Sequence, residues 1–285
     1  MPDEVLRFLE PAPGKVLVDA TVGAGGHARL LGERLGTSGR LIGLDRDPAM
    51  LPIARISLSA LPVTLVETNF DRLRQVLDEL GIEAVDGVLA DLGFASDQLE
   101  APERGLSFQQ SGPLDMRLNP AEGEPASRLL ARLSERELSD VFWRYGEERF
   151  SRRVARRIVS ARRRAPLETT EQLAQLVRGC VPRSRRHRID PATRVFQALR
   201  IAVNDELGAL ERLLAALPSC LKPGGQAVII SFHSLEDRLV KQAFRDRSRW
   251  EVLTRKPIQA KEEEVRANPR ARSAKLRAAR RIGEP

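Results

Sequence analysis

The residues best placed to do chemistry cluster around one glycine turn. Residues 16–28 read VLVDATVGAGGHA. Val16, Leu17 and Val18 form an apolar run with strand character. Gly23-Ala24-Gly25-Gly26 turns the chain tightly, and an apolar-periodic helix opens near His27. Strand, glycine turn and helix is how an α/β domain brings its backbone close to a nucleotide-like cofactor. Gly23-x-Gly25-x-x-Ala28 fits the dinucleotide fingerprint, but Asp19 argues against a dinucleotide. It ends the strand just before the glycines, where a pyrophosphate would sit, and a carboxylate there repels phosphate. It suits a cationic ligand, such as the ammonium of S-adenosylmethionine, which carries no phosphate. The competing reading is a glycine turn that only joins a strand to a helix.

Three further positions extend the pattern. Asp45 ends the run RLIGLD, 22 residues beyond Gly23. Rossmann-like domains use an acid about 20 residues on to accept ribose hydroxyls; the alternative is a helix N-terminal charge before Pro48. Phe70 follows the apolar run at residues 63–67 and suits either core packing or an adenine face. Asp91 follows the run at residues 85–90. Ligands of open α/β sheets bind beyond the carboxyl ends of the strands, and Asp19, Asp45, Phe70 and Asp91 all fall at such ends.

The elements that must hold them follow from periodicity. Strands are predicted at residues 15–19, 40–45, 63–67 and 85–90, with helices between, the clearest carrying Leu73, Val76, Leu77 and Leu80 on one face. The alternation then stops. Residues 103–119 are rich in turn formers, and from Glu124 to about Thr193 the chain reads as helical and arginine-rich. Phe196, Leu199, Val203, Leu207, Leu210, Leu214 and Leu217 mark one long helix. Residues 222–225 (KPGG) form a turn, and a fifth strand covers residues 227–232. Ser234 and Asp237 have capping-box spacing, and two last strands are predicted at residues 250–253 and 275–282. The expected fold class is α/β, a Rossmann-like sheet (residues 1–105 and 200–285) with an all-helical, arginine-rich insertion (residues 106–199) for RNA or substrate recognition.

Composition narrows the partners. The 285 residues are 42% hydrophobic, ample for a globular core. Two cysteines, Cys180 and Cys220, give neither a disulfide framework nor a cysteine metal site, so no metal is expected, and a reducing, cytoplasmic compartment fits. No apolar run approaches the ~20 residues of a membrane span, and the first residues lack signal-peptide features. The net charge of +8 asks for an anion. Residues 149–164 hold eight arginines and no acid. Arg149, Arg152, Arg153, Arg156 and Arg157 fall on one helical face, and Phe150, Val154 and Ile158 on another. Arg183, Arg185, Arg186 and Arg188 form a second cluster and residues 266–281 a third. Such clusters hold phosphates without reading sequence; a merely solvated basic helix is the alternative.

With these residues assembled, the chain resembles the ribosomal small-subunit methyltransferase H family, also called MraW. The likeness runs through DATVGAGGH (19–27), DRDP (45–48), DLGFASDQLE (91–100), ERGLSF (103–108), PLDMRL (113–118), YGEE (145–148), TRVFQALRIAVNDEL (193–207), ISFHSLEDRLVK (230–241) and NPRARSAKLRA (268–278). Departures are Phe94-Ala95, where the family usually has valine and serine, Leu106, where it often has phenylalanine, and a start shorter than usual. The resemblance implies a class I methyltransferase domain that uses S-adenosylmethionine to methylate N4 of a cytidine in the decoding centre of 16S rRNA, with the small ribosomal subunit as partner. It implies cofactor contacts at Gly25, Gly26, His27, Asp45, Phe70, Asp91 and Gln98. Asp19 and Gly23 join that set from the residues alone.

Near the reacting centre, Asp91 is the first candidate, either beside the methyl or on the methionine ammonium. Asp115 is a second, with a turn carboxylate paired to Arg117 as its alternative. Trp143 and Tyr145 suit stacking on an extruded base or packing between helices. His233 either lines the site or caps the following helix. Asn204 and Glu206 read as helix-surface or interdomain contacts. Methylation at cytosine C5 would need a cysteine nucleophile, and neither cysteine sits at a strand end. Two rivals stand beside this reading: a DNA amino-methyltransferase, although Asp91-Leu-Gly-Phe94 stands where such enzymes carry an Asn/Asp-Pro-Pro-aromatic motif, and an inactive RNA-binding assembly factor that senses the cofactor; Asp19 disfavours a nicotinamide dehydrogenase. A homodimer is compatible with the sequence.

Overall fold

The structure is a computed structural model that describes residues 1–94, 96–181 and 190–283. Its first elements are α1 (Pro2–Leu9), β1 (Val16–Asp19), α2 (Gly26–Leu35), β2 (Arg40–Asp45), α3 (Met50–Ser57), β3 (Val63–Glu67), α4 (Leu73–Glu79) and β4 (Val85–Asp91). Helices follow, without a strand among the described residues: α5 (Ser96–Glu100), α6 (Ala126–Arg132), α7 (Glu135–Gly146), α8 (Ser151–Arg162), α9 (Thr170–Cys180) and α10 (Ala192–Asn204). The last part holds α11 (Glu206–Cys220), β5 (Leu221–Ser231), α12 (Ser234–Ala243), β6 (Trp250–Val252), β7 (Ile258–Gln259), α13 (Glu262–Ala267) and β8 (Lys275–Arg281).

The strands form one sheet in the order β3-β2-β1-β4-β5-β8-β6, with β7 also paired to β8. Strands β1 to β5 run parallel, and β8 is antiparallel to β5, β6 and β7. The chain leaves β1 toward β2 and β3 on one side and returns as β4 on the other. The switch point between β1 and β4 opens a crevice beyond their carboxyl ends, the usual ligand position. Alternating strand residues fill two cores. Val18, Ile42 and Val88 pack with Leu73, Leu77, Leu210 and Leu213; Leu17, Leu41 and Leu89 pack with Val5, Leu9, Leu31 and Leu35. Parallel strands covered on both faces are apolar on both faces, which is why each read as a near-continuous apolar run.

The chain divides into two compact units, Met1–Gly93 with Leu207–Pro285, and Phe94–Glu206. The divisions fall at 93/94 and 206/207, where the sequence places them at 105/106 and 199/200. The reason is packing. Phe94 and Leu99 lie against the helical core of Leu138, Phe142, Val154, Ile158, Leu173, Val177 and Leu199. At the other end Arg200 pairs with Glu206 at 2.8 Å. Asn204 is buried: its Nδ2 donates to Met116 O at 2.8 Å, and its Oδ1 accepts from Leu118 N at 2.9 Å. Asn204 and Glu206 therefore make contacts inside the helical unit.

Other details differ from the periodicity. The single long helix is two, α10 and α11, because Asp205 takes a left-handed conformation (φ 50°). Strand β5 begins at Leu221 and runs through the Pro-Gly-Gly stretch, with a register shift against β4 between Val85 and Gly87. Such a bulge lets Pro and Gly sit within a strand. The two-residue β7 was too short to signal itself.

Candidate functional site: an acidic cleft and a basic helix face

The segment after β1 splays the sheet open. Ala20 N–H still donates to Leu89 O of β4 at 2.8 Å, whereas Val22 N–H donates to Leu44 O of β2 at 2.8 Å. Gly23 (φ 50°) and Gly25 (φ 93°) then adopt left-handed backbone, available to glycine at little cost. A Cβ on Gly25 would press on Leu58 at 3.1 Å, while one on Gly26 would meet nothing within 4 Å. The outer side of the turn is thus open space bounded by backbone, a cradle for a ligand.

Asp45 fastens this turn. Its Oδ2 accepts from Gly23 N at 2.8 Å and its Oδ1 from Asp47 N at 2.9 Å. Its main-chain O accepts from Thr68 N at 2.9 Å, tying in the end of β3. A carboxylate has about four lone-pair sites, so acceptor capacity remains for ribose hydroxyls. Burial raises the Asp45 pKa, and the two N–H bonds offset this only in part.

Asp19, Asp91 and His27 complete the cleft. Asp19 is fully buried and accepts from Thr21 N at 3.2 Å. Burial pushes its pKa up to about 6; nearby Asp91 and Asp45 add to the rise and His27 opposes it. With 1% of its surface exposed, Asp19 can reach a ligand only through its field. His27, in the first turn of α2, places Nε2 3.5 Å from Asp91 Oδ2. Burial would lower the His27 pKa, but the hydrogen bond and charge of Asp91, with Asp19 behind, raise it. Asp91 Oδ1 is buried without a hydrogen-bond partner. So is Asn69 Oδ1, one residue before Phe70, whose ring is half-buried at the end of β3.

These residues fit S-adenosylmethionine. Asp19, Asp45 and Asp91 favour its sulfonium and ammonium, the open glycine turn admits it, and two buried acceptors lack donors that the cofactor can supply. The sequence missed Asn69 as an acceptor; its only signal was a position just beyond a strand end. Gln98 lies buried on α5, in the helical unit.

Other sequence candidates take different places. Asp115 is the turn carboxylate: Oδ1 accepts from Arg117 Nε at 2.8 Å and Oδ2 from Nη2 at 2.7 Å. Burial would raise its pKa, but Arg117 brings it below the ordinary value. His233 caps α12: Nδ1 accepts from Glu236 N at 3.4 Å while Glu236 Oε2 accepts from His233 N at 3.2 Å. The capping box is therefore His233–Glu236, one residue ahead of the expected Ser234–Asp237. Burial raises the pKa of both Cys180 and Cys220, which keeps them thiols and unsuited to nucleophilic attack.

On α8, Val154, Ala155 and Ile158 are buried, and Arg152, Arg153, Arg156 and Arg157 are exposed. Arg149 is exposed in the turn before α8 rather than on the helix. Arg156 reaches Glu135 only at 3.4 Å, in a solvated pair of little strength. Trp143 on α7 is 60% exposed, whereas Tyr145 packs against the helical core. The two aromatics therefore do not form one grip. Arg183, Arg185, Arg186 and Arg188 lie outside the described residues. In the third basic cluster Arg277 pairs with Asp237 at 2.6 Å and Arg280 with Glu251 at 2.9 Å, and Arg281 donates to Leu221 O.

A largely parallel sheet with a glycine cradle and an acidic cleft at its switch point is a Rossmann-like α/β fold, here in a methylase that uses S-adenosylmethionine. The chain belongs to the MraW methylase family, whose model matches residues 1–282. It is 53% identical over 282 residues to the ribosomal RNA small subunit methyltransferase H of Sorangium cellulosum, covering 98% of this chain and 89% of that one. Its identity to the protein of the same name from Geotalea uraniireducens is 48% over 303 residues, covering 99% and 97%. With the enzyme of that name from Rhodopirellula baltica it is 46% over 293 residues, covering 99% and 90%. Among the described residues no helix is long and apolar enough to cross a membrane.

Proposed function

We propose that the chain methylates ribosomal RNA of the small subunit, at the exocyclic N4 of a cytidine in the decoding centre of 16S rRNA, in the cytoplasm. The observation that carries this reading is the cluster of Asp19, Asp45, Asp91 and His27 at the strand ends, in a chain whose family relatives are named for this subunit's RNA. Bound S-adenosylmethionine supplies an electrophilic sulfonium methyl. Gly23, Gly25, Gly26 and Asp45 would hold its nucleoside and amino-acid parts, with Phe70 and Asn69 toward the adenine.

The cytosine amine is a weak nucleophile because its lone pair is delocalised into the ring. The protein must therefore align it, exclude water and offer an acceptor to its hydrogens. Asp91 Oδ1 is a carboxylate acceptor without a partner at the end of β4. With the donor bound, Asp91 would hold one amino hydrogen and would take the proton lost from N4 as the methyl passes from sulfur to nitrogen. Buried thiols at Cys180 and Cys220 favour amine chemistry over thiolate-dependent attack at C5. The exposed arginines of α8 would hold RNA phosphates, and Trp143 offers a face for a base.

The test is tritiated-methyl transfer to small ribosomal subunits lacking their own modifications, followed by nuclease digestion and mass spectrometry. N4-methylcytidine in 16S rRNA is the expected product. Donor binding without transfer to subunits or naked 16S rRNA would overturn the assignment.

A further inference from the structure

Asp91 N–H donates to the side chain of Thr21, at Oγ1, at 2.7 Å. A parallel ladder would normally supply a main-chain carbonyl there. Pairing of β1 with β4 ends at Asp19 opposite Leu89, and the chain then turns toward β2 through Val22. The Thr21 hydroxyl continues the ladder for one more step, up to the residue whose carboxylate faces the cleft. Thr21 is itself fixed from below: its N–H donates to the fully buried Asp19 Oδ1 at 3.2 Å. On the other side of Asp91, His27 Nε2 stands 3.5 Å from Oδ2. Asp91 is thus located at its backbone by Thr21 and at one carboxylate oxygen by His27, and Oδ1 is left without a partner.

We infer that Thr21 is a positioning residue for methyl transfer, acting through Asp91. The inference deepens the proposed function and rests on its assignment of Asp91. Without the hydroxyl, the last N–H of β4 loses its acceptor and the carboxylate beyond it loses its fixed origin. Displacements of about 1 Å at a reacting group cost on the order of 100-fold in rate.

The experiment is a double-mutant cycle on the full chain, with methyl transfer to unmodified small subunits as readout. The variants are Thr21→Val, Thr21→Ser, Asp91→Asn and Thr21→Val/Asp91→Asn, each with a thermal melt. Thr21→Val is expected to lower kcat about 10- to 100-fold with little change in KM for the RNA, and Thr21→Ser to stay within about threefold of wild type. Thr21→Val should add almost nothing in the Asp91→Asn background, since interacting residues are non-additive. An equal loss in both backgrounds overturns the inference. So does a wild-type Thr21→Val beside a crippled Asp91→Asn, although the assignment of Asp91 then stands. An active Asp91→Asn overturns both. Should Thr21→Val melt too early to assay, Thr21→Ala takes its place in the same cycle, and a Thr21→Ser kcat as low as that of Thr21→Ala, at an unchanged melting temperature, overturns the inference as well.

Discussion

The carboxyl ends of β1, β2 and β4 and the outer face of α8 carry opposite charge and carry it differently. In the cleft, Asp19, Asp45 and Asp91 are drawn together by topology and partly or wholly buried; burial raises the pKa of Asp19 and Asp45, helped at Asp19 by the charges of Asp91 and Asp45 and at Asp45 by that of Asp47. On α8, Arg152, Arg153, Arg156 and Arg157 stand in solvent, where water and salt screen them. Burial makes the first charge set strong, specific and costly to the fold. Exposure makes the second cheap and adaptable, and its grip on an anion salt-dependent. A small cation fits the one and a long polyanion the other, which is the pairing that methylation of RNA requires.

Asp91 separates the two regions most sharply. Asp91→Ala should cut methyl transfer to small subunits about 1000-fold, the scale of losing a proton acceptor and its electrostatic support, and leave RNA affinity unchanged in a filter-binding assay. Equal losses in both would mean the two regions are not separate in function. Replacing Arg152, Arg153, Arg156 and Arg157 with Gln should weaken RNA binding about 100-fold near 0.1 M salt. The melting temperature should hold, because these side chains are exposed and the buried face of α8 is untouched.

Asp19 sharpens the contrast in stability. A folded pKa of about 6 against an ordinary 3.8 means the folded state keeps that proton longer. Stability from this group therefore falls as pH rises from about 4 to about 6, and the full cost is present above. Asp19→Asn should raise stability at pH 8, by on the order of 2 kcal/mol, and change little near pH 4, while weakening affinity for the donor in calorimetry. A variant destabilised equally at both pH values would show that its hydrogen bond to Thr21 outweighs its burial as a charge. Trp143→Ala, the smallest effect, should reduce single-stranded RNA affinity about tenfold without shifting the melting curve.

Much of the cleft was legible because topology leaves a simple signature. The strands at Arg40–Asp45 and Val63–Glu67 begin and end where the sequence puts them, since apolar runs bounded by a turn and an acid admit few alternatives. What escaped depends on geometry between distant residues or on unusual backbone. Asp205 breaks a helix by taking φ 50° without being glycine. The bulge opposite Val85 carries β5 through Pro223 and two glycines. The basic residues 277 and 280 lose their free charge to Asp237 and Glu251, 40 and 29 positions away. Thr21 lies beyond the strand predicted at residues 15–19, and its bond to Asp91 N joins residues 70 positions apart.

We propose that the acidic cleft holds the methyl donor while the basic face of α8 holds RNA. This division is tested by titrating wild type and the four-arginine variant with a 16S rRNA fragment over a range of salt, with calorimetry of S-adenosylmethionine on the same samples. The expected result is a slope of log affinity against log salt shallower by ~3 in the variant, with donor affinity the same in both proteins. An unchanged slope, or donor affinity that falls together with RNA affinity, would contradict it.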